Sequence, residues 1–284
     1  MLGIFVTAAY PSEDACIQAL KILHEEKVSL IELGIPFSDP LADGPIIQNA
    51  SFKALANGIN IDKVFELVAK ARSEAGLVAK FSPLVSDHLE DIQPAQLGSS
   101  NYGLNNIIFF TYYNPVYVYG IEKLAQKCSE YGIKGLLIPD LPVEEAETVS
   151  KVLKSYGLTL TLLVAITSSE QRIKKIVELS EPFIYLVSRI GITGSDSDIT
   201  KWQGTNTILK QKIAEIRKYA PNKPIGLGFG IDDAAKVRDT LDLGVEIAII
   251  GTKAIRVLEE DQSHDLAVFR DFIQSVNISK IENV

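Results

Sequence analysis

The sequence predicts a single α/β domain built on parallel strands, and three observations carry that expectation. Short apolar runs alternate with longer amphipathic stretches along the chain, as in βα units whose strands are covered on both faces. Eight such pairs can be read, and eight repeats favour closure. The 284 residues, 46% hydrophobic, match a barrel fold that commonly needs roughly 250 residues. A (β/α)8 TIM barrel is therefore the expected fold. An open doubly wound sheet gives similar periodicity, so the motifs must separate the two.

In chain order the expected strands are 3–8, 30–34, 107–112, 135–139, 159–164, 183–187, 224–227 and 247–250. The expected helices include 13–26, 61–73, 121–131, 143–156, 169–179, 207–219, 232–241 and 253–260. Ser12 ahead of Glu13 and Asp14, and Ser168 and Ser169 ahead of Glu170, put capping oxygens and carboxylates where helix N-termini leave N–H groups unpaired. From Gly76 to Asn105 the chain runs through Ser, Asn, Gln, Gly and two prolines. A connection of that length is unusual inside a compact domain, so 76–105 reads as an insertion, with pieces such as 77–79 and 81–85 able to pack on the barrel. Residues 1–278 then form one domain and 279–284 a loose tail.

Composition narrows the function. Against 28 Lys and Arg stand 36 Asp and Glu, a net charge of −8 that argues against a polyanion-binding surface. A small anion could still be held by local backbone N–H groups. Cys16 and Cys128 fall in helical patterns and read as small buried hydrophobes, which fits a reducing compartment. His24, His88 and His264 have no ligand spacing, so no structural metal is expected. No run approaches the ~20 apolar residues of a membrane span, and no basic segment leads into an apolar one at the start. A soluble cytoplasmic protein is expected, or one of an organelle stroma if a targeting segment was removed.

The most informative segment is ELGIPFSDPLADGPIIQ, residues 32–48, where an apolar strand ends on a carboxylate and enters a proline-stiffened loop. Glu32 at the C-terminal end of a barrel strand would point into the mouth, where desolvation raises a carboxyl pKa toward acid/base duty. A buried glutamate paired with a lysine or with backbone donors is the plainer alternative. Asp43 could take a separate electrostatic role or be an ordinary turn aspartate, and spacing alone does not choose. Near the other end, LGFGIDD at 227–233 and IGTKA at 250–254 follow two consecutive strands. Glycines at such positions let helix N-termini approach a dianion closely, and no GxGxxG opens the first helix. SRIGITGS, residues 188–195, reads as a lid whose glycines flank Thr193.

These segments, together with PDLPVEEA at 139–146, resemble tryptophan synthase alpha chains in the same order, from about Ile4 to about Leu258. The resemblance implies a (β/α)8 barrel and a lyase of tryptophan biosynthesis that splits indole-3-glycerol phosphate into indole and glyceraldehyde 3-phosphate. It makes Glu32 and Asp43 the catalytic carboxylates and puts Phe5, Phe110, Tyr112, Tyr185 and Thr193 around the substrate. It assigns the phosphate to Gly194, Phe229, Gly230, Gly251 and Thr252. It also implies an αββα assembly with a beta chain that carries pyridoxal phosphate, with no cofactor on this chain. Pro36, Asp39 and Asn114, in the loop 36–45 and the segment 114–117, are the expected contacts with that partner.

The sequence departs from the family in four places. It begins almost at its first strand, where the family carries a leading helix over the barrel floor. Ala9-Tyr10-Pro11 stands for the usual Gly-Asp-Pro, Ile190 is bulky for the lid, and 76–105 is long. Two rivals to the active lyase remain at this stage. One is a silent alpha-like protein that only activates a beta chain, the other a free-standing lyase that releases indole.

Overall fold

In a computed structural model, which describes residues 1–77, 102–187, 199–228 and 230–278 (199–205 by backbone only), the strands close on themselves. The order begins with β1 (Leu2–Thr7), α1 (Glu13–Glu25), β2 (Leu30–Gly34), α2 (Pro45–Ala56), α3 (Ile61–Glu74), β3 (Ile107–Phe110), α4 (Tyr113–Tyr119) and α5 (Ile121–Glu130). It continues with β4 (Gly135–Leu137), α6 (Val143–Ser155), β5 (Thr159–Ala165), α7 (Glu170–Leu179), β6 (Ile184–Val187) and α8 (Ile199–Tyr219). The last units are β7 (Ile225–Gly228), α9 (Ala234–Leu241), β8 (Ile247–Ile250), α10 (Thr252–Glu260) and α11 (Ala267–Val276). Each strand pairs in parallel with the next, and β8 returns to β1 through Leu2↔Ala248 and Gly3↔Ile249. Closure excludes the open doubly wound sheet.

Strand alternation sorts side chains into two cores. Ile31 and Leu33 of β2 face outward into the large cluster formed with the helices. Leu30, Ile108, Leu137, Phe183, Tyr185, Ile247 and Ile249 fill the barrel itself. Rings fit there because glycines stand opposite them: a Cβ on Gly226 would lie 2.9 Å from the Phe183 ring. Cys16 in α1 and Cys128 in α5 are buried free thiols. Ser12 Oγ accepts from Ala15 N–H at 3.1 Å and Ser169 Oγ from Arg172 N–H at 3.4 Å, so the expected caps form.

Several boundaries differ from expectation. The segment 114–117, expected as loop, lies in α4, where Pro115 sits in the first turn and its missing N–H costs no helical hydrogen bond. Asp140 Oδ1 accepts from Tyr113 N–H at 2.8 Å and caps that helix from the neighbouring unit. β3 ends at Phe110 because Tyr112 is the cap of α4, and β4 ends at Leu137, short of Pro139, which has no N–H for the ladder. Helix α8 starts at Ile199 rather than 207, and α2 and α11 went unread. Of the expected insertion, Gly76, Leu77 and 102–105 are described. Arg72 of α3, buried, donates through Nε to Leu104 O at 3.0 Å and through Nη2 to Gly132 O at 3.2 Å, which ties the returning chain to the barrel floor. The expected tail 279–284 lies outside the described residues.

Among the described residues no helix is long and apolar enough to cross a membrane, and no group of three or more His, Cys, Asp or Glu could hold a metal.

Candidate active site

The site lies at the C-terminal ends of the strands, where the βα loops converge. Glu32, in register with Phe5 of β1 and Ile108 of β3, shares the inward face of β2 with Leu30. It is 1% exposed, and its Oε1 is buried with no hydrogen-bond partner among the described residues. The lysine pairing considered from sequence is not what holds it. Burial alone pushes its carboxyl up to about 8, so at neutral pH it carries a proton.

Asp43 reaches the mouth from the loop between β2 and α2. Tyr112 Oη donates to Asp43 Oδ2 at 3.0 Å and accepts from Ala42 N–H at 3.0 Å, while Gln48 Nε2 of α2 donates to Asp43 O at 2.9 Å. The loop is thus held from the cap of α4 and from the helix that follows it. Burial pushes the Asp43 carboxyl up to about 7, against the Tyr112 hydrogen bond, which favours the ionised form. Tyr112, expected as a pocket wall, is also the residue that orients Asp43.

Aromatic side chains complete the mouth. Phe5 and Phe110 meet edge to face, their centroids 5.4 Å apart. Tyr185 is buried, and its phenol is raised by burial first and then by the negative fields of Glu32 and Asp43, so it stands within reach of both carboxylates. Gly251 caps α10, whose first residue is Thr252, and a Cβ on Gly251 would lie 3.7 Å from Phe5 Cβ. The α10 N-terminus, with N–H groups that have no intrahelical acceptor, therefore opens beside the aromatic pocket. Gly230, at φ +72, follows the adjacent β7 in left-handed backbone that suits glycine. Thr193, Gly194 and Phe229, named from sequence, lie outside the described residues, as does the expected lid 188–195.

Of the expected partner contacts, Asp39 and Asn114 are exposed, whereas Pro36 is buried and shapes the loop from beneath. The exposed apolar residues at this mouth include Leu41 at 80%, Tyr117 at 74% and Val118 at 76%, of which Leu41 and Tyr117 lie in segments singled out from sequence and Val118 just beyond one. Sequence reasoning also missed Asp140, whose signal was an aspartate ahead of a short loop in the PDLP motif.

A closed parallel barrel with two buried carboxylates raised by desolvation, an aromatic pocket and an open helix N-terminus defines a (β/α)8-barrel enzyme of acid–base chemistry. Comparison with known proteins narrows that class: the family described as tryptophan synthase alpha chain matches residues 2–81 and 98–282. The chain belongs to the tryptophan synthase alpha chain family. It is 37% identical over 273 residues to the tryptophan synthase alpha chain of Cyanothece sp., covering 96% of this chain and 89% of that one. It is 38% identical over 269 residues to that of Gracilaria tenuistipitata var. liui, covering 93% and 87%. Among solved structures, Mycobacterium tuberculosis tryptophan synthase superposes with a TM-score of 0.77 at 25% identity, covering 97% of this chain and 90% of that chain.

Proposed function

We propose that the chain cleaves indole-3-glycerol phosphate to indole and glyceraldehyde 3-phosphate, the alpha reaction of tryptophan biosynthesis. The observation that carries this reading is the pair of carboxylates, Glu32 and Asp43, buried at one mouth and both raised by desolvation. Protonated Glu32 delivers a proton to indole C3, and Asp43 accepts a hydrogen bond from the indole N–H and offsets the positive charge that develops on nitrogen. The bond between C3 and the glycerol carbon then breaks. Its electron pair returns to the ring, and the hydroxyl on that carbon gives its proton to the Glu32 carboxylate as the aldehyde forms. The indole nitrogen serves as its own electron sink, so the step asks for no cofactor on this chain.

Phe5, Phe110, Tyr112 and Tyr185 line the indole pocket, and the resemblance assigns Thr193 to the substrate as well. Backbone N–H groups at Gly194, Phe229, Gly230, Gly251 and Thr252 take the phosphate. The partner is a tryptophan synthase beta chain, which carries pyridoxal phosphate, in an α2β2 assembly, and the family name supports that reading. Asp39, Asn114 and the apolar Leu41, Tyr117 and Val118 form the docking face around the loop shaped by Pro36. The compartment is the cytoplasm or an organelle stroma. Residues 1–278 are one barrel domain, and the stretch between the two matched family segments, 82–97, supports an insertion within 76–105.

Indole release from indole-3-glycerol phosphate, measured for the chain alone and with saturating cognate beta chain, tests the reading. Turnover that rises with the partner supports it. No turnover in either case makes the chain a silent activator, and full turnover that ignores the partner makes it a free-standing lyase.

A further inference from the structure

The loop after β1 carries a large side chain that the chemistry above does not use. Tyr10 is 1% exposed and packs with Phe5 of β1, Ile47 and Ala50 of α2 and Ile255 of α10. Beside its ring runs an ion pair between the same two helices: Lys53 Nζ of α2 lies 2.7 Å from Glu259 Oε1 of α10 and 5.8 Å from the Tyr10 ring centroid. The phenol is thus enclosed between α2 and α10. Its hydroxyl is buried beside the Glu259 carboxylate, and burial first, with that carboxylate second, keeps it protonated. The ring makes the apolar contacts to both helices and fills the space between them.

Both helices start at the site. α2 begins with Pro45, two residues after Asp43, and α10 begins directly after Gly251. The atoms a Cβ on Gly251 would meet are Phe5 Cβ at 3.7 Å and Ile47 Cδ1 at 3.8 Å. Two side chains of the Tyr10 cluster therefore form the wall behind the α10 N-terminus. The preceding Ala9 holds φ +59, a left-handed backbone that costs an L residue energy, so the loop keeps Tyr10 inward against local strain.

We propose that Tyr10 is a positioning residue whose ring, wedged between α2 and α10, sets through Ile47 the placement of Gly251 and the helix N-terminus that binds the substrate phosphate. This rests on the phosphate assignment under the proposed function, and its test separates the two.

Full-length wild type, Tyr10→Phe, Tyr10→Leu and Tyr10→Ala are titrated with inorganic phosphate and, separately, with indole, and assayed for cleavage. Tyr10→Phe keeps both affinities within about twofold, because the ring remains. Tyr10→Leu and Tyr10→Ala weaken phosphate binding and raise KM by about tenfold or more, with indole affinity and saturated kcat within about threefold, since a small misplacement of a binding group suffices for such a loss. If Tyr10→Ala fails to fold, Tyr10→Leu, which retains most of the volume, decides alone. Unchanged phosphate affinity in the Leu variant, or equal losses for phosphate and indole, overturns the proposal while an active wild type preserves the functional reading. A wild type that neither binds phosphate nor cleaves substrate overturns both.

Discussion

Glu32 and Asp43 differ in one respect that sets their roles. Both are raised by burial, but among the described residues Asp43 alone accepts a side-chain hydrogen bond, from Tyr112, and it settles at about 7 where Glu32 reaches about 8. Near neutrality Glu32 is the acid and Asp43 the more readily ionised partner. Glu32→Gln should leave binding of a substrate analogue intact and lower kcat by about 10² to 10⁴, since the amide keeps the shape and cannot transfer the proton. Turnover near the wild-type rate would remove Glu32 from the mechanism. Asp43→Asn should lower kcat strongly, and an effect confined to KM would make it a binding residue only. The same burial gives a stability effect of definite sign. Glu32 titrates at about 8 in the folded chain and near the ordinary 4.5 when unfolded, so folding takes up a proton between those values. Its contribution is full below pH 4.5 and is lost as pH rises through 8. Thermal melts should show Glu32→Gln gaining on wild type from pH 5 to pH 9, and a constant difference would contradict the buried, unpartnered carboxylate.

At the scale of elements, the site depends on how helices start. The main-chain N–H of Tyr113 at the head of α4 is capped by Asp140, and Tyr112, the residue before it, holds Asp43. Asp140→Ala should cost about 1 kcal/mol in urea denaturation, the usual value of a lost cap, and also reduce turnover because Tyr112 is released. A stability loss with unchanged kcat would show that Tyr112 is held without the cap. On the neighbouring strand, a Cβ on Gly34 would lie 2.6 Å from the Phe5 ring. Gly34→Ala should push that ring into the pocket and raise KM more than it lowers kcat, a split that steady-state kinetics reads directly.

For the whole molecule, closure of β8 onto β1 brings together groups from the first, second, third, sixth and eighth units. The same geometry gathers Leu41 and the Tyr117–Val118 tip of α4 into an exposed apolar face around the mouth. A partner seated there would hold the Asp43 loop, and at least tenfold activation needs only about 1.4 kcal/mol of differential binding. Tyr117→Asp with Val118→Asp should weaken association with cognate beta chain in a pull-down or titration and leave the unpartnered rate within about twofold, because neither side chain is among those at the carboxylates. Wild-type association by that variant would move the docking face elsewhere.

Sequence alone determined the βα alternation, the eight strands to within a residue or two, the caps at Ser12 and Ser169, and Glu32 as an acidic residue at a strand end. These are local matters of periodicity, capping oxygens and a charge in an apolar run, and each is written within a few neighbouring residues. Periodicity alone could not tell barrel from open sheet, and the motif resemblance had to favour the barrel, because closure is decided by one pairing between the first and last strands, some 245 residues apart. Nor could it read 114–117 as helix, since the cap that permits α4 comes from Asp140, remote in the chain. Motif resemblance singled out Asp43 and Tyr112 separately; that one holds the other was settled by packing. The Tyr10 wedge belongs to tertiary structure for the same reason. Its neighbours, Ile47 and Ile255, come from opposite ends of the chain, and only the closed barrel brings them to one ring.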